Sequence, residues 1–69
     1  MDNEEKENKV LYILKEGEKS TSEIASILNR DFYFVSRFLE EMEQKNKIEK
    51  TQIKNFTYWK IKINGEKNG

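Results

Sequence analysis

A serine at position 20 and a glutamate at 23, just ahead of an apolar run, constrain this chain more than any other stretch. A hydroxyl and a carboxylate three residues apart can each satisfy the other's free backbone amide at a helix start, the capping-box arrangement. A helix therefore opens there, and Ile24, Ala25, Ile27 and Leu28 fall at the i, i+3, i+4 spacing of one apolar face. Asn29 tolerates the left-handed backbone that ends helices, so this helix runs for only about two turns. Asp31 is a good N-cap for a second helix three residues on, in which Val35, Phe38, Leu39 and Met42 repeat the spacing. With Val35 at the centre of that stripe, Tyr33, Ser36, Arg37, Glu40 and Gln44 project to the other side. Phe32 and Phe34 flank the stripe and are expected to pack.

The stretch 2–15 reads as an opening helix, with Asp2 and Glu5 at capping-box spacing and Glu4, Glu5 and Glu7 near the positive end of its dipole. Its first two turns are polar and expected to fray. Val10, Leu11, Ile13 and Leu14 supply an apolar face, and Gly17 a stop. Tyr12 lies opposite that face with Leu11 beside it, which fits either one exposed tyrosine or a dimer contact. Residues 19–21 read as a short extended segment. From Ile48 the period changes from helical to alternating. Residues 48–53 and 57–63 are two strands joined by Lys54-Asn55-Phe56, with Trp59, Ile61 and Ile63 on a buried face and Tyr58, Lys60 and Lys62 on a wet one. One domain over 1–63 and a disordered polar tail over 64–69 are expected.

A core built from 69 residues supplies only about 3 to 5 kcal/mol, which makes self-association an expectation. With no cysteine or histidine the chain has neither disulfides nor the commonest general base and metal ligand, so no cofactor, no metal and no enzymatic activity are expected. Glu40, Glu41 and Glu43 read as a solvated helix surface rather than as catalytic acids. No apolar run approaches the roughly 18 residues of a membrane span, and the first residues are acidic, unlike a signal peptide. A cytoplasmic protein is the expectation. The formal charge of zero hides an asymmetry: residues 1–44 carry six Lys or Arg against eleven Asp or Glu, net −5, and residues 45–69 seven against two, net +5.

The helix pair resembles a helix-turn-helix. Ala25 is the small residue where the helices cross, Asn29 the left-handed turn residue four positions on, and Val35 and Phe38 the apolar residues ten and thirteen beyond the alanine; Arg30 stands where an apolar residue is usual. With the hairpin that follows, the chain resembles the winged helix-turn-helix regulators of the MarR and ArsR type and their small archaeal and viral relatives. The resemblance implies an α+β fold of three helices followed by a two-stranded β-hairpin wing, binding double-stranded DNA as a transcriptional regulator. It also implies a homodimer through the first helix, at Leu11 and Tyr12. The third helix would enter the major groove with Tyr33, Ser36, Arg37, Glu40 and Gln44, and Arg30 just ahead of it. Ser20, Thr21 and Ser22 would meet a phosphate through helix-start amides, and Lys50, Gln52, Lys54, Asn55 and Thr57 of the hairpin would reach the adjacent backbone. Trp59-Lys60-Ile61 resembles the last strand of Z-DNA-binding winged helix domains. Ser36 and Glu40 stand where those have asparagine and tyrosine, however, and the hairpin lacks their proline pair, so Trp59 is read as core. A different class stays open, a winged helix used as a protein interaction module in a replication or transcription assembly. The neutral charge and the three glutamates near Tyr33 speak for it.

Overall fold

A computed structural model describes residues 3–63. The elements are α1 (Asn3–Leu14), β1 (Lys19–Ser20), α2 (Thr21–Leu28), α3 (Phe32–Gln44), β2 (Ile48–Ile53) and β3 (Phe56–Ile61). Together they make a small α+β domain of three helices and a three-stranded antiparallel sheet in the order β1-β3-β2. The expected two-stranded hairpin thus gains a third strand. The extended segment before α2 pairs with the free edge of β3, Lys19 opposite Trp59 and Ser20 opposite Tyr58. In the hairpin Ile48 faces Ile61 and Ile53 faces Phe56, so Phe56 belongs to the strand and the loop is only Lys54-Asn55. Lys54 takes φ 56°, the left-handed backbone that two-residue hairpin loops demand at their first position. The expected Asp2 cap and the tail over 64–69 lie outside the described residues.

The helix ends follow from local chemistry. Ser20 Oγ accepts the Glu23 N–H at 3.1 Å, and the Ser20 N–H donates to Glu23 Oε1 at 2.8 Å. Asn29, at φ 56° and ψ 47°, closes α2: its N–H donates to the Ser26 carbonyl and the Arg30 N–H to the Ala25 carbonyl at 3.0 Å, a Schellman motif. That motif usually carries an apolar contact at the position Arg30 occupies. Here the Arg30 guanidinium lies 4.3 Å from the Phe34 ring centroid, and Phe34 in turn stacks on Phe38. The same closure recurs after α3 at Asn46, φ 64°, with the Lys47 N–H donating to the Met42 carbonyl. Asp31 caps α3 by accepting the Phe34 N–H at 2.9 Å.

Val10 and Leu14 of α1, Ile24 and Ala25 of α2, Val35, Phe38, Leu39 and Met42 of α3, and Ile48 and Trp59 of the sheet form the core. Leu11 is half-buried and packs against this core, as the apolar face of α1 implies. Three side chains depart from expectation. Ile27 is 55% exposed: Thr21 joins Ile24, Ala25 and Leu28 on the inward side, which turns the buried stripe until Ile27 lies about 110° from its centre. Ile63 is exposed because β3 ends at Ile61. Phe32 is exposed as well and packs less than its place beside the stripe implies. No described helix is long and apolar enough to cross a membrane.

Trp59 is buried on the middle strand, and its Nε1–H donates to Thr21 Oγ1 at 2.8 Å, itself buried. Thr21→Val keeps the shape and removes the acceptor, leaving an indole N–H buried and unsatisfied. It is expected to cost about 1 to 3 kcal/mol, with each kcal/mol lowering Tm by roughly 4 to 8 °C. Thr21→Ser should retain most of the stability. A Thr21→Val protein that melts with the wild type would show the bond to be dispensable.

Candidate functional site

The start of α2, the outward side of α3 and the hairpin enclose a cleft of about 170 Å³. Ser20, Thr21 and Ser22 form one wall, Phe32, Ser36 and Glu40 another, and Lys50, Asn55, Phe56 and Thr57 the third, with Trp59 beneath. Ser36 and Glu40 share a wall because they stand four residues, about one turn, apart on α3. Lys50 and Thr57 stand on the helix side of the hairpin because the register pairs Lys50 with Trp59 and Gln52 with Thr57, in alternation with buried Ile48. Capping and β1 pairing together hold residues 20–22 against the sheet. Most of the residues singled out from three separate segments therefore meet at one place.

Others do not. Arg30 is taken up by Phe34 on the opposite side of α3, beside Lys6 and Lys9. Gln44 lies at the base of the hairpin with Glu43, Asn46 and Lys62. Gln52 and Lys54 are exposed toward the hairpin loop, outside the lining. Tyr33 and Arg37 flank the cleft on the open face of α3, Tyr33 being 74% exposed with its ring edge-to-face on Phe32 at 5.5 Å.

Of the groups expected to meet a phosphate at the start of α2, two are already engaged. Glu23's carboxylate already occupies the Ser20 amide and places a negative charge at that end, and the Thr21 hydroxyl is committed to Trp59. An Arg37–Glu40 pair at i, i+3 does not form. Glu40 Oε2 is instead 4.0 Å from Lys50 Nζ, which also lies 5.8 Å from the Trp59 ring centroid. Both partners are substantially exposed, so this contact contributes about 0 to 1 kcal/mol. Arg37 is exposed and has no ion-pair partner among the described residues.

One charged cluster escaped the sequence reading. Glu7, expected on a fraying polar turn, is buried, with Lys45 Nζ 2.8 Å from one carboxylate oxygen and Lys47 Nζ 2.7 Å from the other. A signal for it existed: Glu7, Val10 and Leu14 stand at i, i+3, i+7, so Glu7 lies on the core stripe. Its partners come from the turn after α3, far along the chain. The hydrogen bond from Lys45, then that from Lys47, holds the Glu7 carboxyl below the usual glutamate range despite its burial, and the same bond pushes Lys45 upward. Each oxygen accepts from one lysine, so this group clamps α1 to the α3–β2 turn. Among the described residues no cluster of three or more His, Cys, Asp or Glu could hold a metal ion.

No protein-family model, no curated protein and no solved structure matches this chain.

Because Glu7 stays ionised in the fold at pH values where it protonates in the unfolded chain, its stabilisation is complete above the ordinary glutamate pKa and is lost as pH falls through the lower folded value. The stability difference between wild type and Glu7→Gln should be steady near neutrality and shrink below about pH 4.5. Urea unfolding of both proteins along a pH series tests this. A difference that does not change with pH would mean the carboxylate is not held ionised.

Proposed function

We propose that the domain is a winged helix-turn-helix that binds double-stranded DNA, with α3 in the major groove and the hairpin on the adjacent backbone, and that it acts as a transcriptional regulator. The observation that carries this reading is the convergence of the outward side of α3, the start of α2 and the hairpin on one open face. Arg37, exposed and without an ion-pair partner among the described residues, flanks the cleft on the open face of α3. A free guanidinium on an exposed helix suits bidentate pairing with guanine. Lys54, at the hairpin loop, suits a phosphate. Lys50 is poised between two states: facing Glu40 in the free protein, and moved onto a phosphate in the complex, which releases the Glu40 carboxylate to accept from cytosine N4.

The neutral charge and the glutamates of α3 favour the second reading, a protein interaction module. Titration with random duplex at low salt separates the two, since nearly every duplex binder shows non-specific affinity there. Arg37→Ala should cost about 1 to 3 kcal/mol and relax preference at one position of the site, whereas Lys54→Ala should weaken all sequences alike and lower the salt slope by about 1. Glu40→Gln should strengthen non-specific binding by removing a charge that faces phosphates. Identical, salt-independent behaviour of all three on specific and random duplexes would sink the reading.

A homodimer through the first helix belongs to the same proposal. Leu11 is half-buried against the core, and Tyr12, Ile13, Ile27 and Leu28 line an apolar depression between α1 and α2, edged by Asn8 and Lys9. A two-fold pairing of this surface would carry two copies of α3 onto half-sites about 34 Å apart. Tyr12→Glu with Ile27→Glu should leave a folded monomer in sedimentation, and a wild type that is already monomeric at high concentration would remove the dimer from the proposal.

A further inference from the structure

On the side of α3 away from the cleft, α1, the end of α2 and the first turns of α3 enclose a groove of about 240 Å³. Leu28, Phe34, Val35 and Phe38 give it apolar walls, and Lys6, Lys9 and Arg30 line it as well. Among the described residues no carboxylate does.

The three cations arrive from two places in the fold. Lys6 and Lys9 stand three residues apart on α1 and so share one side of it, while Arg30 follows the left-handed Asn29 that closes α2. Lys6 Nζ lies 5.0 Å and Arg30 Cζ 4.3 Å from the centroid of the Phe34 ring, which is 37% exposed. A ring face attracts a cation without neutralising it. Neither these two nor Lys9 forms an ion pair among the described residues, and Asp31, beside Arg30 in the chain, is engaged in capping α3. Three of the six Lys and Arg of residues 1–44 thus surround one apolar groove, within a stretch of net −5. Like charges gathered in this way repel one another until an anion joins them.

We propose that this groove docks a short acidic segment of a partner protein, with one apolar side chain entering it and flanking carboxylates pairing with Lys6, Lys9 and Arg30. The space lies below the roughly 300 Å³ at the small end of small-molecule sites, so it holds a side chain of something larger. The planar fork of Arg30 suits a carboxylate through two parallel hydrogen bonds, and the lysines add point charges. Acidic motifs are commonly read by basic clusters of this kind. Because the groove lies across α3 from the cleft, a partner seated there leaves the cleft open, and the inference holds whether or not the domain binds DNA.

Fluorescence anisotropy of the full chain with a short labelled peptide, one leucine between two runs of aspartate, tests it. Binding should weaken about tenfold or more when serine replaces the leucine, the loss expected for one buried apolar side chain, and should fall as salt is added. Lys6→Gln with Arg30→Gln should weaken it about threefold or more. Lys54→Gln with Lys60→Gln removes the same charge from the hairpin and should leave it unchanged. Thermal melting of each variant confirms that the fold persists. Equal losses in the two double variants, indifference to the leucine, or no binding by the wild type overturns the inference. So does displacement of the peptide by an equal concentration of benzoate, or a wild-type dimer that Lys6→Gln with Arg30→Gln dissociates, since these put a small anion or a second copy in the groove.

Discussion

The hydrogen bond from the Trp59 indole to the Thr21 hydroxyl is the contact on which the arrangement of this domain depends. Trp59 sits on β3, the middle strand, with β1 and β2 on its two sides, and Thr21 is the first residue of α2. A ring of this size dominates a small core by area alone, but area does not choose an orientation. The N–H does, because leaving it buried without an acceptor costs more than the bond itself contributes. One partner placed at the first turn of α2 therefore sets how the helix start meets the sheet. That meeting forms the back of the cleft, with residues 20–22 on one side and Lys50 and Thr57 on the other.

Electrostatics are distributed in a way that the charge count conceals. Several of the lysines behind the net +5 of residues 45–69 are engaged away from the cleft. Lys45 and Lys47 close on Glu7, Lys62 donates to the Asn46 side chain, and Lys60 stands opposite Glu49 across the hairpin. Arg30 and Lys6 lie over the Phe34 ring on a different face. Near the cleft stand a few cations among hydroxyls, an amide and the exposed Phe32. Such a surface gains little from long-range attraction and more from close contact, since screened charges act weakly beyond about 10 Å.

The helix caps, the change of period at Ile48 and the inward face of α3 were legible because each depends on neighbours within a few residues. The Ser20–Glu23 box, the left-handed Asn29 and the Asp31 cap are local hydrogen-bond chemistry, and Val35, Phe38, Leu39 and Met42 are one helical stripe. Ile27 was misread because a two-turn helix has too few residues to fix the centre of its own stripe. Thr21, a polar residue brought inside by its bond to Trp59, moved that centre. The third strand is only two residues long and exists through pairing with β3, more than thirty positions away in the chain.

By itself the sequence determined where α2 and α3 start and where α2 stops, which side of α3 is apolar, and that Trp59 belongs inside, since these follow from backbone capping and side-chain periodicity. Only the tertiary structure decided that Glu7 is buried between two lysines, that Glu40 faces Lys50 rather than Arg37, and that the start of α2, the outward side of α3 and the hairpin meet at one cleft. Each of those depends on which distant segments are brought within a few ångströms. Periodicity carries no information about that, and the closure of the sheet around Trp59 supplies it.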